Sequence, residues 1–348
     1  MSLFTFPRLV SAHYNGFVPE NAKPPFAGDG GLATSVAICP KGLAITDQGD
    51  VLFSDWRKQR LCKVDQKGKI STFAGNGSNG LNGDNGAAVR AELNNPFGIT
   101  TDKLGNIYFI ELGAAQFPEQ IRKIDQLGII STITPKDSTG SQLNGPIAIS
   151  ADGEGTLFLA EGFPPCVKMI VNSGITTILA KQPEVVRPAG LFAAKKNMTY
   201  IADAGSNCVR RLDGAGNMIT VAGTGAGYPG FSGDGGAATE AQLNCPRSIA
   251  LDRTGRLFIA DTLNNRIRMV DQTGNIITIA GTGKTGHRGL GGPAKLAELF
   301  LPTDLNFDHD GNLFFIVSGA NADFGQVLKI DVTGKLSAVA GNAMGWTR

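Results

Sequence analysis

Residues 246–281 read PRSIALDRTGRLFIADTLNNRIRMVDQTGNIITIAG, and the reading of this stretch decides the fold. It holds four short apolar runs, SIAL, RLFIAD, RIRMV and NIITIA, separated by the turn clusters DRTG, TLNN and DQTG. Runs rich in β-branched residues between Gly- and Asn-containing turns are the signal for consecutive hairpins, so the spacing predicts four antiparallel strands. Such a sheet has both faces to cover and two open edges, and it cannot be stable alone.

The rest of the chain supplies what covers it. Aligned on the proline that opens the first run and the acid that closes the second, the chain gives Pro40 with Asp55, Pro96 with Glu111 and Pro146 with Glu161. Pro188 with Asp203, Pro246 with Asp261 and Pro302 with Val317 follow at the same separation. Repeats of about 40–50 residues with four strands each indicate a β-propeller, whose blades bury one another's faces around a channel. The expected fold is all-β: a six-bladed β-propeller, four antiparallel strands per blade, over residues 26–348 as a single domain. Residues 1–25 match no repeat and are expected to add an outer strand or a cap.

Composition agrees. The 348 residues include 47 glycines, as a turn-dense β protein requires, and only 18% are charged. No window approaches the roughly 18 consecutive apolar residues of a membrane span, and the N-terminus lacks the basic and apolar regions of a signal peptide. These features, with free thiols expected, point to a cytoplasmic protein without a membrane. A net charge of +2 gives no strong attraction to nucleic acid. The five cysteines show no metal-ligand spacing: Cys39, Cys62 and Cys245 read as small buried residues. Cys166 and Cys208 fall in the loop between second and third runs of adjacent repeats.

The connectors between repeats also recur. NGSNGLNGDNGAAVRAELNN, TGAGYPGFSGDGGAATEAQLNC and TGKTGHRGLGGPAKLAELFL precede the second, fifth and sixth repeats, and their Ala-rich tails suit one or two helical turns. The tail GDGGLATSVAIC precedes the first, while the third and fourth have shorter connectors. Together, P-x-x-I-x-x-D-x-x-G-x-L-x-I-A-D, D-x-x-N-N-R-I, I-x-T-I-A-G-T-G and S-G-D-G-G-A-A resemble the NHL-repeat family over residues 28–341. The resemblance implies a six-bladed ring with the opening strand innermost, and the connectors on the face that carries the second-to-third loops. It implies no single activity, because function lives in sites grafted on a fold.

If the opening strand is innermost, the residue after each proline stands at the channel mouth: Lys41, Phe97, Ile147, Ala189, Arg247 and Thr303. Related six-bladed enzymes of the gluconolactonase and amidating-lyase type hold a divalent metal there with Asn, Asp or His. This set has no carboxylate or imidazole, so no metal and no other cofactor is expected. Two positions after the proline the residues are small, with Asp304 the exception. Lys41, Phe97, Arg247, Thr303, Asp304 and Cys166 are the candidate substrate-binding residues.

The acids closing the second runs form a ring on the same face. The aspartates read as local loop acceptors. Glu111 and Glu161 replace Asp in repeats whose loops have also changed, ELGAAQFPEQI and EGFPPCV, and are the candidate catalytic pair. Two acids in unlike surroundings can divide into general acid and base, with a cation stabilising a developing anion. The short connectors before the third and fourth repeats leave a gap in the rim, toward which these residues would face. The Gly-rich connectors lack the lysine and hydroxyl order of a P-loop. The basic loop WRKQR is thin for RNA stacking, and a solvated loop is the preferred reading. The expected function is a metal-independent acid/base enzyme of lyase, cyclase, isomerase or hydrolase type, acting on a small polar or anionic substrate in the mouth. The alternative is a non-catalytic propeller binding a protein, peptide or RNA through that face.

Overall fold

A computed structural model of the chain describes residues 26–113, 117–133, 143–171, 175–181, 183–194, 198–225, 227–318 and 324–342, with backbone only for 175–178. The N-terminal segment 1–25 and its expected strand or cap lie outside these residues.

The fold is a six-bladed β-propeller, each blade a four-stranded sheet whose strands pair in chain order. Blade five comprises Pro246–Leu251, Leu257–Asp261, Arg266–Val270 and Ile276–Ala280. These are the four runs read from the sequence, and the aligned prolines and acids are register partners. Pro40 faces Asp55, Pro96 Glu111, Pro146 Glu161, Pro188 Asp203, Pro246 Asp261 and Pro302 Val317. The antiparallel pairing places all six prolines at one end of the ring, beside the second-to-third loops.

No blade buries its faces internally. The buried apolar residues fall into six clusters, and every cluster spans two neighbouring blades. Phe315 of blade six packs with Phe258 and Ile267 of blade five, and Phe53 of blade one with Ile316 and Val327 of blade six. Stability therefore depends on a closed ring, since an unpaired terminal blade would leave one such core wet.

The ring closes by reusing the connector. The fourth strand of blade one, Ile70–Ala74, is followed by Gly75, whose N–H donates to Ala88 O at 2.9 Å, and then by Asn76 N–H to Ala91 O at 2.9 Å. At the seam, Gly341 N–H donates to Ala33 O and Asn342 N–H to Val36 O, each at 3.1 Å. Thus the segment before blade one holds blade six as each full connector holds the blade before it. Glycine is required at this step: Gly75 has φ +91°, and a Cβ there would lie 2.3 Å from Gln59 O. The connector tails form single 3-10 turns, Ala33–Ser35, Ala88–Arg90, Ala238–Glu240 and Ala294–Leu296, the lower end of the one or two helical turns expected. Among the described residues, no helix is long and apolar enough to cross a membrane.

Candidate functional site

The innermost strands converge on a cavity of about 250 Å³ at the proline end of the channel. All six residues that follow the opening prolines line it: Lys41, Phe97, Ile147, Ala189, Arg247 and Thr303. Asp304 and Ser318 also contribute to its wall. Neighbouring inner strands approach closely at the next position of blades one and four. A Cβ on Gly42 would lie 2.5 Å from Phe97 O, and one on Gly190 2.4 Å from Arg247 O. Where this position carries a polar side chain, that side chain bridges to the next blade. Leu305 N–H donates to Ser248 Oγ at 2.9 Å, and Leu43 N–H to Asp304 Oδ2 at 2.7 Å.

Asp304 therefore stands at the seam between blades six and one and on the cavity wall at once, with φ +49°. Burial pushes its carboxyl up to about 7, and the Leu43 N–H that favours the charged form does not offset this. The cations stand apart from it. Lys41 Nζ lies 5.5 Å from the centroid of the Trp56 ring, and Arg247 is exposed. Among the described residues neither cation has a carboxylate within ion-pair distance.

The mouth is divided around its circumference. Arg247, Thr303, Asp304 and Lys41 come from the consecutive blades five, six and one, whereas Phe97, Ile147 and Ala189 come from two, three and four. One arc is polar and cationic, the other apolar.

Glu111, Glu161 and Cys166 do not line this cavity. Both glutamates occupy the aspartate position of the other blades and are buried. The Glu111 carboxylate accepts from Asn94 N–H at 3.0 Å, from the Gln120 side-chain amide, and from Arg122 Nη1 at 3.3 Å. Burial raises its pKa, opposed by Arg122 and these hydrogen bonds. Glu161 pairs with Lys168 at 2.6 Å and accepts from Asn144 N–H at 3.2 Å. The expectation that the two face an open cleft is thus corrected: their carboxylates are turned into their own blades. Cys166 is the register partner of Glu161, lies within the third strand rather than in the loop, and is buried. Burial pushes its thiol up to about 11. Parts of the rim where a gap was expected lie outside the described residues.

What the acids bind is a cation on the third strand. Asp55 pairs with Arg60 at 3.1 Å, Asp203 with Arg210 at 3.5 Å and Asp261 with Arg268 at 3.6 Å. Where the GDGG or GDNG connector is present, its aspartate completes a triad: Asp29 with Arg60, Asp84 with Arg122, and Asp234 with Arg268, at 2.7–3.1 Å. Three arginines are fully buried this way. Blade six replaces the whole set with apolar residues. Val317 stands for Asp261, Leu328 for Arg268 by register, and Leu290 of GLGG for Asp234.

The basic loop of blade one is also accounted for by the frame. Trp56 Nε1 donates to Cys39 Sγ, Lys58 Nζ to Ala37 O, and Arg60 is the buried triad cation. Among the described residues no three His, Cys, Asp or Glu side chains are grouped to hold a metal. A groove of about 580 Å³ runs on the opposite face between blades six and one, past Asp47 and His309.

Comparison with known proteins places this geometry. Residues 77–142 and 136–344 match the family described as the Teneurin NHL domain. Teneurin-4 of Mus musculus is 28% identical over 280 residues, covering 64% of this chain and 10% of that protein. Protein SUPPRESSOR OF QUENCHING 1, chloroplastic, of Arabidopsis thaliana is 25% identical over 279 residues, covering 70% of this chain and 26% of that protein. The chain thus spans about a tenth of the length of the teneurin and about a quarter of the plant protein. Among solved structures, a streptogramin B lyase superposes with a TM-score of 0.55 at 15% identity, covering 87% of this chain and 94% of that one, a likeness of fold alone. With its six blades, connector triads and matched span, the chain belongs to the Teneurin NHL domain family.

Proposed function

We propose that the protein binds a small anionic ligand in the mouth of its channel. The observation that carries this is the pair Lys41 and Arg247 on the cavity wall, each without an ion-pair partner among the described residues. Every other innermost position is neutral except Asp304, which burial holds near neutrality. The Thr303 hydroxyl lies between the two cations in ring order and can donate to an anion. At about 250 Å³ the cavity is smaller than the roughly 300–1,000 Å³ of drug-sized pockets, which suits a metabolite.

The test is ligand-observed NMR with acetate and with inorganic phosphate on the full chain. Lys41→Gln/Arg247→Gln should weaken binding more than tenfold, since hydrogen bonds to charged groups are worth about 1.5–3 kcal/mol each. Equal binding by the parent and the double variant would refute the assignment. Acid/base turnover of the bound anion is the second reading, and Asp304 favours it. A carboxyl pushed up to about 7 on a cavity wall can exchange a proton near neutral pH. Glu111 and Glu161, buried in ion pairs, are assigned to the frame.

A further inference from the structure

We propose that the ligand is amphipathic: a monocarboxylate whose head lies on the arc of blades five, six and one, and whose apolar body lies against blades two, three and four. This rests on the anion reading and goes beyond it by fixing the ligand's orientation and class.

The argument is the order of residues around the ring. Had the two cations come from opposite blades, they would suit a dianion bridging the channel. Instead Arg247 and Lys41 flank blade six, with Thr303 between them, and the three blades on the other side present Phe97, Ile147 and Ala189. A hydrophilic anion held on the polar arc would leave the apolar arc facing water. A ligand with an apolar body removes that surface from water, and the gain scales with the area covered. Phe97 and Ile147 are partly exposed at the mouth. Ala189 is the smallest of the six side chains and follows Ile147 in ring order on the apolar arc. A second carboxylate on the ligand would fall on this apolar arc without a cation, so dianions are disfavoured.

Phenylacetate and acetate serve as probes on the full chain at pH 6.5, followed by ligand-observed NMR. Phenylacetate is expected to bind at least tenfold more tightly than acetate, and succinate no more tightly than acetate. Phe97→Leu and Ile147→Ala should each lower the ratio of phenylacetate to acetate affinity several-fold. Thermal melts verify that both variants fold. Equal affinities for phenylacetate and acetate overturn the orientation and leave the anion reading standing. Tighter binding of succinate than of phenylacetate also overturns it. Failure of all three probes to bind overturns both readings.

Discussion

Replacing Arg268 by leucine should destabilise the protein by about 3–5 kcal/mol, while replacing the whole triad should not. The arginine is fully buried, 2.7 Å from Asp234 and 3.6 Å from Asp261, and also donates to Ser232 O at 3.0 Å and Gln242 O at 3.2 Å. Removing one partner of a buried pair leaves the other charge uncompensated, which costs about 3–5 kcal/mol. Asp261 would be that charge. It keeps Asn244 N–H at 2.7 Å and Asn264 Nδ2 at 2.8 Å, but burial already pushes its carboxyl up to about 6 with the arginine in place. Without Arg268 the value rises further. An acid whose folded-state pKa lies above its unfolded value contributes stability that is present at low pH and lost as pH rises through the folded pKa. The loss in Arg268→Leu should therefore be largest at pH 8 and smaller by about 1–2 kcal/mol at pH 5, where Asp261 takes up a proton. The triple variant D234L/D261V/R268L copies blade six, where Val317 and Leu328 pack in the apolar core shared with blade five. Apolar replacement of a complete buried ion set is often neutral or stabilising, so the triple variant should lie within about 2 kcal/mol of the parent. Guanidinium denaturation followed by circular dichroism at pH 5 and pH 8 measures all of this. A triple variant as unstable as Arg268→Leu at pH 8, or a single variant without cost, would refute the account of the frame.

Other consequences can be measured on the same protein. Glu111→Gln removes one of the two carboxylate partners of buried Arg122, Asp84 remaining, and should lower stability by about 1.5–3 kcal/mol in denaturant melts; a catalytic role alone would leave stability unchanged. Gly42→Ala forces a Cβ to within 2.5 Å of Phe97 O, an overpacking worth about 1–3 kcal/mol in the same assay. Asp304, pushed up to about 7 by burial, is mostly neutral at pH 6 and mostly charged at pH 8, on the wall of the cavity that an anion would occupy. Acetate should therefore bind several-fold more weakly at pH 8 than at pH 6, and Asp304→Asn should flatten that dependence. By the same linkage, Asp304→Asn should gain stability over the parent as pH rises through 7.

The sequence carried the register of the ring because proline and acid mark the same hydrogen-bonded pair in each blade, and period alone aligns them. It misled on Glu111 and Glu161 because the partners of an acid on a second strand sit on another strand and on the preceding connector. Lys168 and Arg122 meet their glutamates only after the sheet pairs. Their longer side chains have a physical reason. Glu161 faces a lysine rather than an arginine, and Glu111 accepts from both Gln120 and Arg122. A signal was present in the chain itself: where Asp261 becomes Val317, Arg268 becomes Leu328 and Asp234 becomes Leu290, three changes that make sense only if the three side chains touch. The cysteines show the same limit, since Cys166 reads as a loop residue until its pairing with Glu161 extends the strand.

The mouth residues were legible for the opposite reason. In a ring of repeats the axis is reached by one register position per blade, so the residue after each proline is identified without side-chain geometry. Apart from Phe97, which packs against the core between blades two and three, that position bears little of the frame's load: the triads lie farther out, and the inter-blade cores begin at residues such as Leu43 and Ile249. Substitution there changes the channel wall without breaking a blade. Two positions after the proline the chain is less free, as the close approach at Gly42 and Gly190 shows. Asp304 is the one carboxylate admitted there, and it is admitted by bridging the seam to Leu43 N–H. A group that both closes the ring and faces the ligand couples the two: an anion bound beside it favours the protonated carboxyl, which is also the form that burial favours. At one phenylacetate concentration, ligand binding should therefore stabilise the closed ring less at pH 7.5 than at pH 5.5, because at the higher pH part of the binding free energy goes into removing the Asp304 charge. Denaturant melts with and without that concentration of phenylacetate at the two pH values measure the difference. The same stabilisation at both, in the parent and in Asp304→Asn alike, would show that seam and site are independent.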